Sequence, residues 1–201
     1  MKKILLPTIC ILLCTLCVIF VPTEAEASIY EDTVRLHILA PSDSIEDQNL
    51  KLMVRDFILN KYGSELSKAK SSSEAQESLK ELLPYIESEC NLLILNTGHN
   101  YTAKAELCEQ WFDTRDYGNF SLPSGRYISL TVTIGSGEGQ NWWCVMYPPL
   151  CLEAALSDSS SGFSDDEFRL ISKSGYNVKF KLLEVSSAIF NEESKKFKKS
   201  S

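Results

Sequence analysis

Few residues in this chain could perform covalent chemistry, and they are widely spaced. Histidine occurs only at His37 and at His99, and His99 lies in the turn Gly98-His99-Asn100, where we expect it to be exposed to solvent. A nucleophile needs a base beside it, so Cys144 or Ser44 acting with His37 is the pattern that would make the chain a thiol or cell-wall hydrolase outside the cytoplasm. However, His37 alternates with apolar residues, as a hydrogen-bonded core histidine does, and the tryptophans beside Cys144 disfavour a charged thiolate. We therefore predict no catalytic residues and keep the hydrolase as the alternative.

Motifs for cofactors are also missing from the sequence. The glycine loop Gly135-Ser136-Gly137-Glu138-Gly139 has its serine in the wrong place for a hydrolase elbow, and no Gly-Lys-Ser follows it to hold a phosphate. Among His37 and the cysteines after residue 27, no pair has the close spacing of a zinc site. Asp43, Glu46 and Asp47 could bind a metal, but the start of a helix already explains them. We predict no cofactor and no metal.

The segment from Asn141 to Cys151 is the most distinctive part of the sequence. It holds two of the three tryptophans, two cysteines and the pair Pro148-Pro149. Adjacent prolines remove two backbone donors, so the chain must turn or leave regular structure there. Large aromatic rings dominate the energetics of interfaces, and we predict a partner-binding patch formed by Asn141, Trp142, Trp143, Tyr147 and Pro148. The alternative is strand alternation, which would bury one tryptophan in the core and expose only the other.

Four cysteines follow residue 27, namely Cys90, Cys108, Cys144 and Cys151. Outside the reducing cytosol they could form disulfides, and the proline turn could bring Cys144 and Cys151 within the required distance. This pair is the predicted disulfide. Buried free thiols are equally consistent with the sequence, because cysteine also behaves as a small apolar core residue.

The sequence pattern predicts the strands and helices that hold these candidate residues in place. Thr33–Ala40 alternates as a strand, and Ser42-Asp43-Ser44 then supplies oxygen acceptors for the start of a helix. That helix is predicted over Ile45–Tyr62, with Gly63 as its end. The residues predicted for its inner face are Leu50, Met53, Val54, Phe57 and Ile58.

The rest of the chain is predicted to add one more long helix and several strands. The helix begins at Ser73, which caps it, and has a kink or break at Pro84. From Tyr101 the pattern alternates as a strand. Two further strands are predicted over Arg126–Ile134 and Asn141–Tyr147, joined as a hairpin by the glycine loop.

This order of elements predicts an α+β fold. We expect a single domain with a mostly antiparallel sheet and two amphipathic helices packed on one face. Along the chain we assign a signal peptide to 1–27, the α+β domain to 28–152, and a C-terminal extension to 153–201. The extension carries a final strand or helix and a basic tail, and we assign it to the same domain.

The first 27 residues have the features of a secretory signal peptide. Lys2 and Lys3 precede an apolar run, and Ala25-Glu26-Ala27 supplies the small residues of a cleavage site. The run is long enough that retention as a membrane anchor, in a tethered structural protein, is the alternative. The net charge of −7 without a central basic stripe argues against nucleic acid as a partner. Membrane contact is expected only through this leader or through the basic tail at 195–199.

Two segments resemble a known family. The run Arg35-Leu36-His37-Ile38-Leu39-Ala40-Pro41-Ser42-Asp43-Ser44 resembles the opening motif of the stage II sporulation protein R family, and so do the residues that follow it, namely Glu46-Asp47-Gln48, Leu50-Lys51 and Val54-Arg55-Asp56. The block from Leu122 to Cys151 resembles its second motif. The motif residues to which we assign a structural part are His37, Asp43, Ser44, Arg55 and Asp56. On charge alone, Arg55 and Asp56 are predicted to form a solvated or locally paired rim.

The resemblance implies a function as well as a fold. Members of this family are made in the forespore and exported into the space between it and the mother cell. There they trigger a membrane-embedded aspartic protease of the mother cell, which removes the pro-sequence of the early mother-cell sigma factor. The resemblance therefore implies an exported activator that is not itself an enzyme. The sequence departs from the family at Pro41, where asparagine is usual, and at Gln140, where lysine is common.

Overall fold

The computed structural model describes residues 24–117, 120–149 and 165–171, which fall into two compact units. The larger unit takes in Ile29–Phe112 and the described residues from Gly125 to Pro149. The smaller takes in the described residues up to Ser28, of 113–124, and of 165–171. The leader up to residue 23, Cys151, the predicted last strand and the basic tail lie outside the described residues. No helix in the described ranges is long and apolar enough to cross a membrane.

Ten helices and strands make up the described part of the chain. In chain order they are α1 (Glu24–Glu31), β1 (Val34–Leu39), α2 (Ile45–Leu66), α3 (Ser72–Asn96), β2 (Ala103–Phe112), β3 (Arg115–Asp116), β4 (Ser121–Leu122), β5 (Gly125–Ile134), β6 (Asn141–Tyr147) and α4 (Asp165–Ile171). The short elements β3, β4 and α4 belong to the smaller unit.

Four strands of the larger unit form one sheet in the order β2-β5-β1-β6. β1 is parallel to β5 and antiparallel to β6, while β2 is antiparallel to β5. The predicted α+β class with a mostly antiparallel sheet is therefore confirmed. The predicted hairpin between β5 and β6 is wrong, because β1 lies between them. Five of the six residues of β1 are buried, on both faces of the strand, which suits a central position in a sheet.

The hydrophobic core lies between the sheet and the two long helices. On β1 it is formed by Val34, Leu36 and Ile38, which alternate along the strand and are fully buried. The helices contribute Leu50, Val54 and Ile58 from α2, and Ala75, Leu79, Ile86, Cys90 and Ile94 from α3. Each large apolar side chain buried in this way stabilises the fold by about 1.5–3 kcal/mol relative to exposure. Met53, which we predicted for the inner face of α2, is instead 38% exposed.

The end of α2 differs from the prediction. Gly63 does not stop the helix, which continues to Leu66. Tyr62 and Leu66 lie on either side of Gly63 and are both buried in the core. Their burial outweighs the roughly 1 kcal/mol that glycine costs inside a helix.

The second long helix, α3, also differs in two details. Its N-cap is Ser71, whose hydroxyl accepts a hydrogen bond from the Glu74 amide at 3.2 Å, and not Ser73. Pro84 lies inside α3, where we predicted a kink or a break, and the helix continues through it without a break. Pro84 is exposed, while Leu79 and Ile86 are buried on the turns before and after it, so packing holds both halves of the helix against the sheet.

The smaller unit contains a short β-ladder. Arg115 pairs with Leu122 and Asp116 with Ser121 in an antiparallel arrangement. In α4, Glu167 is buried and accepts a hydrogen bond from the Ser28 hydroxyl at 2.6 Å.

Candidate partner-binding surface

The sheet brings the two motif segments of the sequence side by side. β1 pairs with β6 so that Ile38 lies opposite Trp142 and His37 opposite Trp143. The helix α2 begins shortly after β1, and the chain enters β6 from the glycine loop next to the first turns of that helix. Residues about a hundred positions apart in the sequence therefore form one continuous surface.

Hydrogen bonds fasten the residue before β6 to the start of α2. The amide of Gln140 donates to Oδ1 of Asp43 at 2.6 Å. The carbonyl oxygen of Gln140 accepts from Nζ of Lys51 at 2.9 Å and from Nε2 of Gln48 at 3.3 Å. Gln48 also donates to the carbonyl oxygen of Ser42 at 2.9 Å. Both backbone groups of Gln140 are thus held, which fixes where β6 starts.

Lys51 has an unusual position for a lysine, because it is only 5% exposed. Burial lowers its pKa, while the nearby Asp43 carboxylate acts in the opposite direction. Its ammonium group also donates to Oε1 of Gln48 at 2.5 Å. A buried cation is tolerated where hydrogen-bond acceptors surround it, and here those acceptors come from both motif segments.

The glycine loop approaches the first motif closely. The amide of Gly139 donates to the carbonyl oxygen of Ala40 at 2.9 Å, and the hydroxyl of Ser136 donates to the carbonyl oxygen of Pro41 at 2.8 Å. A Cβ atom on Gly139 would lie 2.2 Å from the carbonyl oxygen of Ser42. Position 139 therefore requires glycine, since the obstacle is backbone and cannot rotate away.

Trp142 lies on the helix-facing side of β6, beside α2. The guanidinium carbon of Arg55 is 5.1 Å from the centre of the Trp142 ring, which is cation–π geometry. Arg55 also forms an ion pair with Asp56 at 2.7 Å, as predicted for this rim. Trp142 and Arg55 are both half-buried. We call the following set the motif surface: Asp43, Gln48, Lys51, Arg55, Gln140, Asn141 and Trp142.

Trp143 points to the opposite face of the sheet. Its ring stacks on that of His37, with centroids 5.7 Å apart and an interplanar angle of 15°. Trp142 and Trp143 therefore do not lie in one continuous patch. Both rings are half-buried, so strand alternation separates the tryptophans by face without making either fully buried or fully exposed.

His37 is a core histidine. It is 8% exposed, and Nδ1 is 3.1 Å from Oε1 of Gln110. Because Nε2 of Gln110 donates to Thr131, Oε1 is its acceptor atom, so Nδ1 of His37 carries the proton. Burial lowers the pKa of His37, with Arg35 acting in the same direction and the Gln110 hydrogen bond against it. The interpretation of His37 as a hydrogen-bonded core residue is confirmed.

The geometry does not bring Cys144 together with His37 as a nucleophile and its base. Cys144 is disulfide-bonded, so it has no thiolate to act as nucleophile. It lies opposite Leu36 on β1, whereas His37 belongs to the other face of the sheet. The hydroxyl of Ser44 serves as the N-cap of α2, accepting from the Asp47 amide at 3.1 Å, as the sequence predicts.

The cysteines of the described part differ in state. Cys90 and Cys108 are free thiols, and burial raises the pKa of Cys90 to about 12. Cys144 is buried and oxidised, which fits the prediction that it forms a disulfide. Its predicted partner, Cys151, lies outside the described residues.

The remaining predicted patch residues flank the ends of β6. Asn141 is half-buried and pairs with Leu39 at the start of the strand. Tyr147 ends the strand and packs against the core, and burial is the main cause that raises its pKa. Pro148 is buried. Of the five patch residues, Asn141 and Trp142 therefore belong to the motif surface, while Tyr147 packs at the far end of the strand.

Sequence reasoning did not single out three residues of the motif surface, Gln48, Lys51 and Gln140, as site residues, and it misjudged a histidine. Gln48 and Lys51 lie one turn apart on α2, and their signal in the sequence was that both belong to the segment that resembles the first family motif. The side chain of His99 is only 11% exposed. Its ring lies 3.5 Å from Glu46 and 3.2 Å from the Thr97 hydroxyl. We had expected it in a solvent-exposed turn.

The sequence is similar to known proteins over more than half of its length. The profile of a family described as stage II sporulation protein R matches residues 30–157. A curated protein named stage II sporulation protein R, from Bacillus subtilis (strain 168), is 36% identical over 121 residues. The match covers 60% of this chain and 54% of the relative, so the chain spans about half the length of that relative. No solved structure matches.

Proposed function

Because the chain belongs to the stage II sporulation protein R family, we propose that it is an exported signalling protein that activates a membrane-embedded aspartic protease of the mother cell. Activation would lead to processing of the early mother-cell sigma factor precursor. The family assignment gives the chain a role in sporulation. Export, the space between forespore and mother cell as the place of action, and the receptor protease are the parts that we propose.

One observation supports a docking role more than any other. The two segments that resemble the family motifs meet at the motif surface, where Arg55 lies against Trp142. Gln140 is fastened there to Asp43 and Lys51. Tryptophan and arginine are also the residue types that most often dominate binding energy at protein interfaces.

The chemistry of the surface fits binding better than catalysis. His37 is buried, and no described residue forms a hydrogen bond with its Nε2 atom. The oxidised Cys144 offers no nucleophile. What the motif surface does offer is a half-buried tryptophan ring and a half-buried guanidinium group. These recognise another protein by shape and hydrogen bonding.

The test is reconstitution in a bacterium that does not sporulate. The protein with its leader is produced together with the receptor protease and a tagged sigma-factor precursor, and the processed fraction is measured by immunoblot. We expect processing to depend on this protein. We expect Trp142→Ala to reduce the processed fraction by roughly tenfold or more, as loss of a binding hot spot does.

The matched control is Tyr85→Ala. Tyr85 is an aromatic residue of α3 that is 63% exposed, and its loss should leave processing unchanged. Urea unfolding of each purified variant measures how much folded protein remains. An intact precursor with the wild-type protein would show that the proposed activation is wrong. A loss of signalling in Trp142→Ala that merely follows its loss of folded protein would rule out docking through the motif surface.

A further inference from the structure

The outer edge of β2 is the second feature of the larger unit that suits a partner. β2 lies at one end of the sheet and, among the described strands, pairs only with β5. Its register with β5 is continuous from Ala103 to Phe112. In an antiparallel pair, alternate residues direct both backbone groups away from the neighbour. The odd-numbered residues of β2 are the outward ones, because the side chains that bind Ala103 and Ala105 come from outside the sheet.

The first half of this edge is closed by α3. The side-chain amide of Asn91 accepts from the amide of Ala103 at 2.8 Å and donates to its carbonyl oxygen at 3.0 Å. Oε2 of Glu87 accepts from the amide of Ala105 at 2.9 Å. Asn91 thus replaces the pair of hydrogen bonds that a neighbouring strand would make. Such covering of a sheet edge prevents strands from adding there.

In the described part of the chain, the second half of the edge is open. The backbone groups of Leu107, Glu109 and Trp111 point outward in the same register, and no other described residue bonds to them. Trp111 is 45% exposed, which is unusual for so large an apolar ring. The contrast within one strand is informative, since the fold closes the edge at one end and leaves it open beside an exposed aromatic ring.

Charge distinguishes between the possible occupants of the open edge. Glu109 is exposed and has a cation on one side only, Arg126 of β5, at 3.3 Å. A second copy of this chain, paired antiparallel so that the three open residues align, would place Glu109 opposite Glu109. Like charges directly opposite each other destabilise a strand pair. A strand with a basic residue opposite Glu109 would instead place the carboxylate between two cations.

We propose that the open edge of β2 binds an extended segment of the receptor protease, added to the sheet as an extra strand. The segment carries a basic residue opposite Glu109 and apolar residues opposite Leu107 and Trp111. Backbone hydrogen bonds provide the affinity in this mode of recognition, and the alternating side chains provide the specificity. The inference rests on the proposed function, because it takes the receptor protease as the partner.

Hydrogen exchange tests the contact without any substitution. The exported protein is mixed with proteoliposomes that hold the receptor protease, and amide exchange is followed residue by residue. We expect exchange at Leu107, Glu109 and Trp111 to slow at least about tenfold, because each amide gains an acceptor. Ala103 and Ala105 serve as internal controls, since their amides already have side-chain acceptors and should not change.

Substitution at position 109 separates the backbone from the side chain. Glu109→Pro removes an amide that β5 does not use, so the fold should survive, as proline is tolerated on edge strands. We expect it to weaken binding to the proteoliposomes, and processing of the precursor, by at least about tenfold. Glu109→Ala keeps the amide and should weaken both only a few-fold. Glu109→Lys keeps every backbone group, repels the basic residue, and should be as impaired as the proline variant.

The outcomes distinguish this inference from the proposed function. If the wild-type protein activates the protease while folded Glu109→Pro and Glu109→Lys are as active as wild type, the strand-docking inference is wrong and the proposed function stands. Unchanged exchange at the three open amides in an active mixture has the same meaning. A different result is that exchange at those amides slows when the concentration of this protein is simply raised, without proteoliposomes. That result would identify a second copy as the occupant and overturn the inference. A wild-type protein that neither binds nor activates the protease overturns both.

Discussion

At the scale of single residues, His37 makes the stability of the fold depend on pH. Burial lowers its folded-state pKa below the ordinary value of 6.5. As pH falls below 6.5, the unfolded chain binds a proton that the folded chain does not, so the free energy of unfolding decreases. We expect this residue to contribute a slope of at most about 1.4 kcal/mol per pH unit below that point.

The measurement is urea unfolding of the wild type and of His37→Gln at several pH values from neutral to mildly acidic. Glutamine cannot titrate, so the variant should be less stable near neutral pH and should show a shallower decrease in acid. The carboxylates titrate in both proteins and do not affect the comparison. Equal slopes would mean that folding does not lower the pKa of His37.

The local chemistry of the motif surface could be predicted only in part. Ser44 as a helix cap and the ion pair between Arg55 and Asp56 follow from spacing along the chain, and both were found. The hydrogen bonds of Lys51 and Asp43 to Gln140 were not predictable, because their partner lies about ninety residues away. Local patterns determine caps and faces, whereas such contacts depend on which strands become neighbours.

At the scale of elements, the contact between α3 and the edge of β2 can be tested by Asn91→Ala. The substitution removes two hydrogen bonds to the backbone of Ala103. We expect the free energy of unfolding to fall by about 1–3 kcal/mol, the usual cost of leaving buried polar groups unpaired. We also expect the variant to self-associate, since uncovering this half lengthens the open edge.

Asn96→Ala is the matched control for that variant. Asn96 is the exposed last residue of α3, so both substitutions share the gain in helix propensity. Only Asn91→Ala also loses the two hydrogen bonds to the backbone of Ala103. Urea unfolding gives the stability, and sedimentation velocity gives the association state. If both variants behave alike, the side chain of Asn91 does not stabilise the edge of β2.

The elements themselves followed from the sequence more reliably than their neighbours did. The apolar alternation of Val34, Leu36 and Ile38 and the spacing of Leu50, Val54 and Ile58 predicted a strand and a helix with the correct inner faces. The pairing of β5 with β6 was wrong because a glycine loop permits a hairpin but does not require one. β1 lies between these strands because both of its faces are buried there. The sequence patterns of β5 and β6 carry no information about that burial.

At the scale of the whole molecule, the two surfaces with a proposed partner lie at opposite ends of one sheet. Trp142 belongs to β6 and Glu109 to β2, with β1 and β5 between them. At about 4.8 Å per strand, these edges are roughly 14 Å apart. Substitutions this far apart usually act independently. Trp142→Ala and Glu109→Pro therefore report on separate contacts, and a receptor that uses both must span the width of the sheet.

Counting thiols in the exported protein tests its maturation as a whole. The chain has seven cysteines, of which Cys10, Cys14 and Cys17 lie in the leader. If the leader is removed after Ala27, the exported protein should begin at Ser28. The protein is alkylated after unfolding but without reduction, so that a disulfide between Cys144 and Cys151 stays intact. It should then alkylate only at Cys90 and Cys108, which are free thiols. Intact mass spectrometry before and after alkylation measures both properties in one sample.

Each alternative gives a different mass in that experiment. Alkylation at both positions and also at Cys144 and Cys151 would show that the predicted disulfide does not form in the cell. Alkylation at the three leader cysteines as well as Cys90 and Cys108 would show that the leader is retained as an anchor. In that case the protein would act while tethered to a membrane. Its receptor would then have to reach the motif surface across the gap, because a tethered protein cannot diffuse to it.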